Sequence, residues 1–225
     1  MNIEERIKTC YLNKSLIFSG NEKIHLGSSS PRRIQMISQL KEPVRCTSPS
    51  LEEDTILKEL QTSIDEKDPL VKNSIATALL ARAKAETIPV KEEEILITAD
   101  TTVLLEDQIL GKPKNQKEAL KMLLSLSGRI HYVTTGVCLY KNKENYDNFY
   151  LSAAVKFRKL EGELLDTAKR YVKEGKAQDK AGAYGIQEEA GLFVEWIWGD
   201  YNTIVGFPLG EIYQSLGGLF HENSC

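Results

Sequence analysis

The stretch Leu26-Gly27-Ser28-Ser29-Ser30-Pro31-Arg32-Arg33 does most to limit what this chain can become. Ile24, His25 and Leu26 can end a strand, and Gly27 with three serines makes a tight polar loop. Ser30 is a favoured N-cap, and Pro31 suits the first helical position, where its missing N–H costs nothing. Ile34, Met36, Ile37 and Leu40 follow at helical spacing, so the helix has a face to bury. Strand, small-residue loop and helix start leave backbone N–H groups converging on one spot, which suits an anion. Arg32 and Arg33 stand in that same first turn, where cations oppose the helix dipole. A polyanion such as a phosphate chain would answer them; two solvated surface arginines are the plainer alternative. The loop lacks the Lys-Ser/Thr ending of a P-loop.

At 225 residues the chain can hold one good core, or two lobes sharing a sheet. A formal net charge of −3 and a pI near 5.8 speak against general binding to nucleic-acid polymers or membrane surfaces. Any basic surface is then local and aimed at a small anion. Cys10, Cys46, Cys138 and Cys225 lie far apart without CxxC spacing, which argues against structural zinc and a disulfide framework. Reduced thiols in a cytoplasmic protein are the simplest account. No apolar run approaches a membrane span, and the acidic start at residues 1–6 is unlike a secretory signal.

Residues 1–23 read as an N-terminal extension, part of it helical, ahead of a domain over 24–225. Val44 to Thr47 suits a short strand, and Glu52-Glu53-Asp54 follows it. Asp68-Pro69 opens a long helix, with Val71, Ile75, Ala78 and Leu79 as its expected buried stripe. The apolar run 94–98 fits a buried central strand that delivers Ala99-Asp100-Thr101-Thr102 at its C-terminal end. A hairpin is expected across Glu106-Asp107, then a helix capped by Asn115 with Glu118 completing a capping box. Segments 131–140 and 150–157 read as an antiparallel pair joined by the polar turn 141–148. A helix over 163–174 stops at Gly175. A second small-residue loop spans 180–187, a strand 192–198, a turn 199–202 and a closing helix 208–216. Alternating strands and helices with one antiparallel pair give an α/β fold on a mixed central sheet.

Asp100 ends the most apolar strand, where a carboxylate is costly without a task or a partner. Glu53 leaves a short strand inside an acidic cluster. Mg²⁺ is held by one or two carboxylates together with substrate phosphates, so Asp100 and Glu53 are candidate metal ligands, with Asp100 able to position or deprotonate a water. A turn-capping role for Asp100 and a solvated loop position for Glu53 are the alternatives. Lys84 and Lys112 are usable point charges for phosphate, or ordinary surface lysines. Gln187 ends the glycine-rich loop and offers both a donor and an acceptor, as readout of a base edge requires.

Segments 26–33, 81–86, 99–103, 111–114, 126–129 with Thr135-Gly136-Val137, 180–187 and 199–210 together resemble the Maf family of nucleoside triphosphate pyrophosphatases. The likeness runs from about Ile24 to Leu216. It implies a two-lobed α/β fold with the active cleft between the lobes. It also implies hydrolysis of a nucleoside triphosphate between the α and β phosphates, a divalent cation (Mg²⁺ or Mn²⁺), and a homodimer. Carried over by motif position, Asp100 is the proton acceptor. Ser28, Arg32 and Arg33 belong to the phosphate-binding loop, Lys84 and Lys112 line the cleft, and Glu53 (or its neighbour Glu52) is the second acid. Ser-Pro-Arg-Arg with Ala-Gly-Ala-Tyr-Gly-Ile-Gln resembles the branch acting on dTTP and UTP, with Arg32, Thr101 and Gln187 at the positions that separate the branches. The competing readings are the same reaction on 7-methyl-GTP or a modified nucleotide, and a regulatory interaction protein of septum formation.

Overall fold

The computed structural model describes residues 9–217, so expectations for residues 1–8 and for Cys225 fall outside the described residues. One eight-stranded sheet organises the chain. Its strands are β1 (Cys10–Lys14), β2 (Lys23–Leu26), β3 (Arg45–Cys46), β4 (Glu94–Leu105), β5 (Gln108–Leu110), β6 (Ile130–Tyr140), β7 (Tyr146–Phe157) and β8 (Val194–Trp198). The order is β1-β7-β6-β4-β2-β3, with β5 on β4 and β8 on β7. β2 is parallel to both β3 and β4, while every other pairing is antiparallel, so the sheet is mixed.

Seven α-helices flank it among the described residues: α1 (Pro31–Ile37), α2 (Glu53–Ser63), α3 (Pro69–Glu86), α4 (Gln116–Leu126), α5 (Gly162–Lys173), α6 (Tyr201–Val205) and α7 (Leu209–Ser215). The expected starts of α3 and α4 are present: Asp68 accepts from the Leu70 and Val71 amides, and Asn115 from the Glu118 amide. The Glu118 carboxylate reaches back to the Lys114 amide, one residue earlier than a capping box requires. Gly175 stops α5 at φ 77°.

The long strands β4, β6 and β7 thread two apolar clusters on one face of the sheet, and a smaller one (Leu96, Cys138 and Tyr140 with Ala81 and Ala85) lies on the other. Ile95, Ile97, Ala99, Val137, Leu139 and Phe149 pack with β2, α1 and α7 at one end. Val103, Leu105, Val133, Val155 and Phe157 pack with α4, α5 and the 181–193 turns at the other. Thr101 and Thr135, hydrogen-bonded to each other, separate the two clusters on that face, and a polar seam crosses the opposite face beneath α3. Thr102 bonds Asn73 and Thr77, and Ser74 bonds Thr134 and Ser152.

That seam overturns one expectation. The face of α3 turned inward carries Asn73, Ser74, Thr77, Leu80, Ala81 and Lys84; of the expected stripe Ala78 is buried, while Val71, Ile75 and Leu79 are only half-buried. Hydrophobic periodicity misassigns a helix whose buried side chains are satisfied by hydrogen bonds to a sheet. Three further differences are local. Residues 10–14, read as ahead of the fold, form an edge strand on β7, held by Tyr11 against Phe149 and by the Tyr11 hydroxyl on Glu211. The acidic cluster opens α2 rather than a loop. The turn expected over 199–202 ends at Asp200, whose carboxylate accepts from the Thr203 amide and so caps α6.

Candidate active site

β2 ends at Leu26, and the Gly27 amide still bonds Ile97 on β4. β4 itself continues to Leu105, so Asp100 lies mid-strand, opposite Gly136, and not at the strand end expected from the sequence. Its side of β4 is left open because the parallel neighbour has already turned away into the serine loop. The cleft that results has a volume of about 470 Å³. Its wall includes the 27–33 loop, Glu53, Lys84, residues 99–103, Lys112 and the 179–188 loop. Ser28, Arg32, Arg33, Glu53, Lys84, Asp100, Thr101, Lys112 and Gln187 therefore all meet at one cavity.

The centre of the cleft is Lys84. Leaving the last turn of α3, where a cation suits the helix dipole, its Nζ lies 2.6 Å from Asp100 Oδ1 and 2.9 Å from Glu53 Oε1. Lys84 and Asp100 are buried, at 4% and 8% exposure. Burial pushes the Glu53 carboxyl up, but Lys84, Lys112 and Arg33 outweigh it and hold the group below its ordinary value. Glu52 is exposed and not part of the cleft wall, whereas Glu53 lines it and pairs with Lys84.

Close approach makes this centre possible. A Cβ on Gly136 would lie 2.5 Å from the backbone of Thr77 and Ala78, so only glycine lets α3 lie this near β6 and bring Lys84 to Asp100.

The two arginines do different things. Arg33 donates from Nε to the Gly206 carbonyl at 2.9 Å, from one terminal nitrogen to the Ala99 carbonyl at 2.7 Å, and from the other to Thr101 Oγ1 at 3.3 Å. It braces β4 beside Asp100, and burial lowers its pKa against the pull of Asp100 and Glu53. Arg32 reaches across the cleft toward Asp179 at 3.8 Å and Glu188 at 4.0 Å, leaving its guanidinium loosely held and available. Ser30, the expected cap of α1, makes no side-chain cap bond; Ser28 Oγ instead accepts from the Ser30 amide at 3.1 Å and shapes the loop. Thr101 is tied to Arg33 and to Thr135 Oγ1 at 2.9 Å. Lys112 and Gln187 are exposed on the cleft wall.

Sequence reasoning missed Asp179, Lys180, Tyr184 and Glu188, all of which line the cavity. Lys180 and Tyr184 fall inside the 180–187 segment, and Asp179 and Glu188 flank it, which was their only signal. Counting them, the wall carries five cationic and five anionic side chains (Arg32, Arg33, Lys84, Lys112, Lys180 against Glu53, Asp54, Asp100, Asp179, Glu188). An electroneutral wall does not neutralise a triphosphate by itself. Glu53 and Asp100 supply hard oxygen donors of the kind Mg²⁺ takes alongside substrate phosphates, so the residues present fit a divalent cation. No cluster of three or more His, Cys, Asp or Glu forms a protein-only cage among the described residues.

Residues 23–219 match the family model described as Maf-like protein. A dTTP/UTP pyrophosphatase of Thermococcus onnurineus is 39% identical over 84% of this chain and 94% of its own length. The dTTP/UTP pyrophosphatase of Thermotoga maritima is 41% identical over 86% of this chain and 88% of its own, and that of Clostridium acetobutylicum 37% identical over 88% and 98%. With that coverage and the cleft geometry, the chain belongs to the Maf family.

Proposed function

We propose that this protein hydrolyses nucleoside triphosphates, dTTP and UTP foremost, between the α and β phosphates, releasing the monophosphate and pyrophosphate. The observation that carries the reading is the Asp100–Lys84–Glu53 centre beside a serine loop and Arg32, all on one cleft. The curated relatives named above point to the same reaction and bases.

In this reading Asp100 accepts the proton of a water aligned on the α-phosphorus. Lys84 fixes the orientation of that carboxylate and keeps a positive charge beside the reacting phosphate. Arg32 leaves its distant acids for the phosphate chain, a better-matched partner for its fork of donors. Arg33 acts through β4, holding the Ala99 carbonyl and Thr101 so that Asp100 stays aimed. A divalent cation held by Glu53 and Asp100, when bound, supplies charge neutralisation and lowers the pKa of a bound water. The side chains require no covalent intermediate, and the buried thiol of Cys138, pushed up by burial, is not part of the cleft wall. Gln187 reads the O4 and N3–H edge of the pyrimidine through its acceptor and donor.

Nucleotide-pool house-cleaning in the cytoplasm and a homodimer complete the proposal. No described helix is long and apolar enough to cross a membrane. Sedimentation at working concentration decides the dimer. The decisive assay incubates the protein with Mg²⁺, Mn²⁺ or chelator and a panel of dTTP, UTP, CTP, ITP and 7-methyl-GTP, measuring pyrophosphate and orthophosphate separately. Pyrophosphate led by dTTP and UTP, lost with chelator and lowered at least ~10²-fold by Asp100→Asn, is the expected result. Pyrophosphate led by another base overturns the assignment of Arg32, Thr101 and Gln187. No pyrophosphate from folded protein overturns the reaction.

A further inference from the structure

Gln187 sits in a short loop between two residues that are both tied to the same buried hydroxyl. Tyr171 on α5 is wholly buried, and its OH accepts from the Gly185 amide at 3.2 Å and donates to Glu188 Oε2 at 3.2 Å. The other carboxylate oxygen of Glu188 lies 3.2 Å from Lys180 Nζ. Lys180 is itself anchored, with its ammonium on the Lys176 carbonyl at 2.7 Å and on Asp179 at 2.6 Å, and its side chain only 7% exposed. The stem of Lys180 passes directly under the loop: a Cβ on Gly185 would lie 2.7 Å from Lys180 Cε. The Glu188 amide closes the turn on the Gly185 carbonyl at 3.0 Å. A lysine this buried, engaged by a carbonyl and two acids, is unavailable as a simple phosphate ligand, and its geometry serves the loop.

We propose that Tyr171, Lys180 and Glu188 are positioning residues for base selection: they clamp both flanks of Gln187 and link that loop to Arg32 across the cleft. The inference deepens the functional reading above and rests on Gln187 as the reader of the base. Glu188 and Asp179 are the acids Arg32 faces, so the residues that hold the base-reading loop also set where the phosphate-loop arginine waits. A loop held only at its ends would let the Gln187 amide turn, and a turned amide offers donor and acceptor in either order. Fixing Gly185 and Glu188 through one tyrosine hydroxyl restricts that freedom before the nucleotide arrives, which is where affinity for one base over another is gained.

The test compares Tyr171→Phe, Glu188→Ala and Glu188→Gln with Gln187→Ala, reading KM and kcat for dTTP, UTP and CTP together with melting temperature. Tyr171→Phe and Glu188→Ala are expected to lower the preference for dTTP and UTP over CTP by about fivefold, the scale of one lost hydrogen bond, with the change in KM rather than kcat. Glu188→Gln, which keeps an acceptor for Tyr171, recovers part of the preference. Because Tyr171 and Glu188 share one bond, Tyr171→Phe/Glu188→Ala loses little more than the larger single change. If Gln187→Ala erases the preference while Tyr171→Phe and Glu188→Ala leave it intact, the clamp is overturned. If Gln187→Ala itself leaves the ranking intact, the base-reading assignment falls, and the clamp with it.

Discussion

His131 predicts how this protein responds to acid. It lies on β6, fully buried, with its Nε2 2.8 Å from the Tyr184 hydroxyl, its ring edge-on to Phe157 and Tyr184, and its Nδ1 without a partner. Burial pulls its pKa from 6.5 down to about 3, so the folded protein holds it neutral. As pH falls below 6.5 the unfolded chain takes up a proton that the folded chain refuses, and stability is lost progressively until about pH 3. At about pH 5 the loss is 1.5 pH units at 1.36 kcal/mol each, about 2 kcal/mol. In urea, with a slope near 2.5 kcal/mol/M for a chain of this size, that is a midpoint shift of roughly 0.8 M between about pH 7 and pH 5. The perturbation is His131→Phe with Tyr184→Phe, which removes the titrating ring and its hydroxyl partner together and avoids leaving either one unpaired. Its cost at neutral pH is immaterial, because the readout is the difference between two pH values in each protein. His25, also pulled down by burial and by Arg45 against the pull of Glu94, contributes in the same direction to both proteins and cancels. The variant should therefore lose about 0.8 M less on acidification. An equal loss in variant and parent would refute the assignment of a refused proton to His131.

Three further outcomes follow from the cleft. Lys84→Met should lower kcat/KM by roughly 10²-fold or more, since it removes the positive charge between Asp100 and Glu53, and steady-state kinetics with dTTP check it. Gly136→Ala should cost about 3 kcal/mol, or a melting temperature roughly 6–12 °C lower, because the new methyl meets the rigid backbone of α3; an unchanged melting temperature contradicts the close approach. Arg33→Lys should lower activity, because the donors of one ammonium nitrogen cannot span the acceptors that three separate guanidinium nitrogens reach at Gly206, Ala99 and Thr101; calorimetry should show it less stable than the parent as well.

What the sequence reveals, and where it falls short, depends on the range of the interaction. Asp68 and Asn115 cap their helices through amides two or three residues away, and the residues involved are adjacent on the page. Arg33 lies in the serine loop as expected, but its bonds to carbonyls 66 and 173 residues distant are encoded by no local pattern. Tyr171 and Glu188 are likewise unremarkable alone, one an interior residue of an amphipathic helix and the other a charge after a loop. Glu53 was legible as an acid near a strand end, but its selection over Glu52 needed the direction of the first turn of α2. The wrong face chosen for α3 has the same origin: Asn73, Ser74 and Thr77 read as polar until the threonines and serine opposite them are known.

The polar seam and the cleft have one cause. Where the three long strands pass under α3, the face turned to that helix carries Thr98, Asp100, Thr102, Thr134 and Ser152 in place of aliphatics, and Thr135 stands on the other face, between the two apolar clusters. Such a band would be costly if unsatisfied, but each hydroxyl finds a partner on α3, on α6 or across the sheet. Directed bonds fix side-chain positions more tightly than apolar contact of the same area, because they constrain angle as well as distance. Asp100 falls where β2 has ended, so it combines a rigid surround with an opening to the cleft, whose wall Thr102 joins beside it. Lys84, carried by the same helix that the seam's hydrogen bonds dock on the sheet, then holds the acid still. Weakening the seam should misplace the carboxylate before it unfolds the protein. Ser74→Ala, remote from the cleft wall and hydrogen-bonded to both Thr134 and Ser152, separates the two effects: a fall in kcat at temperatures well below its melting transition supports the shared origin, and full activity up to the transition refutes it.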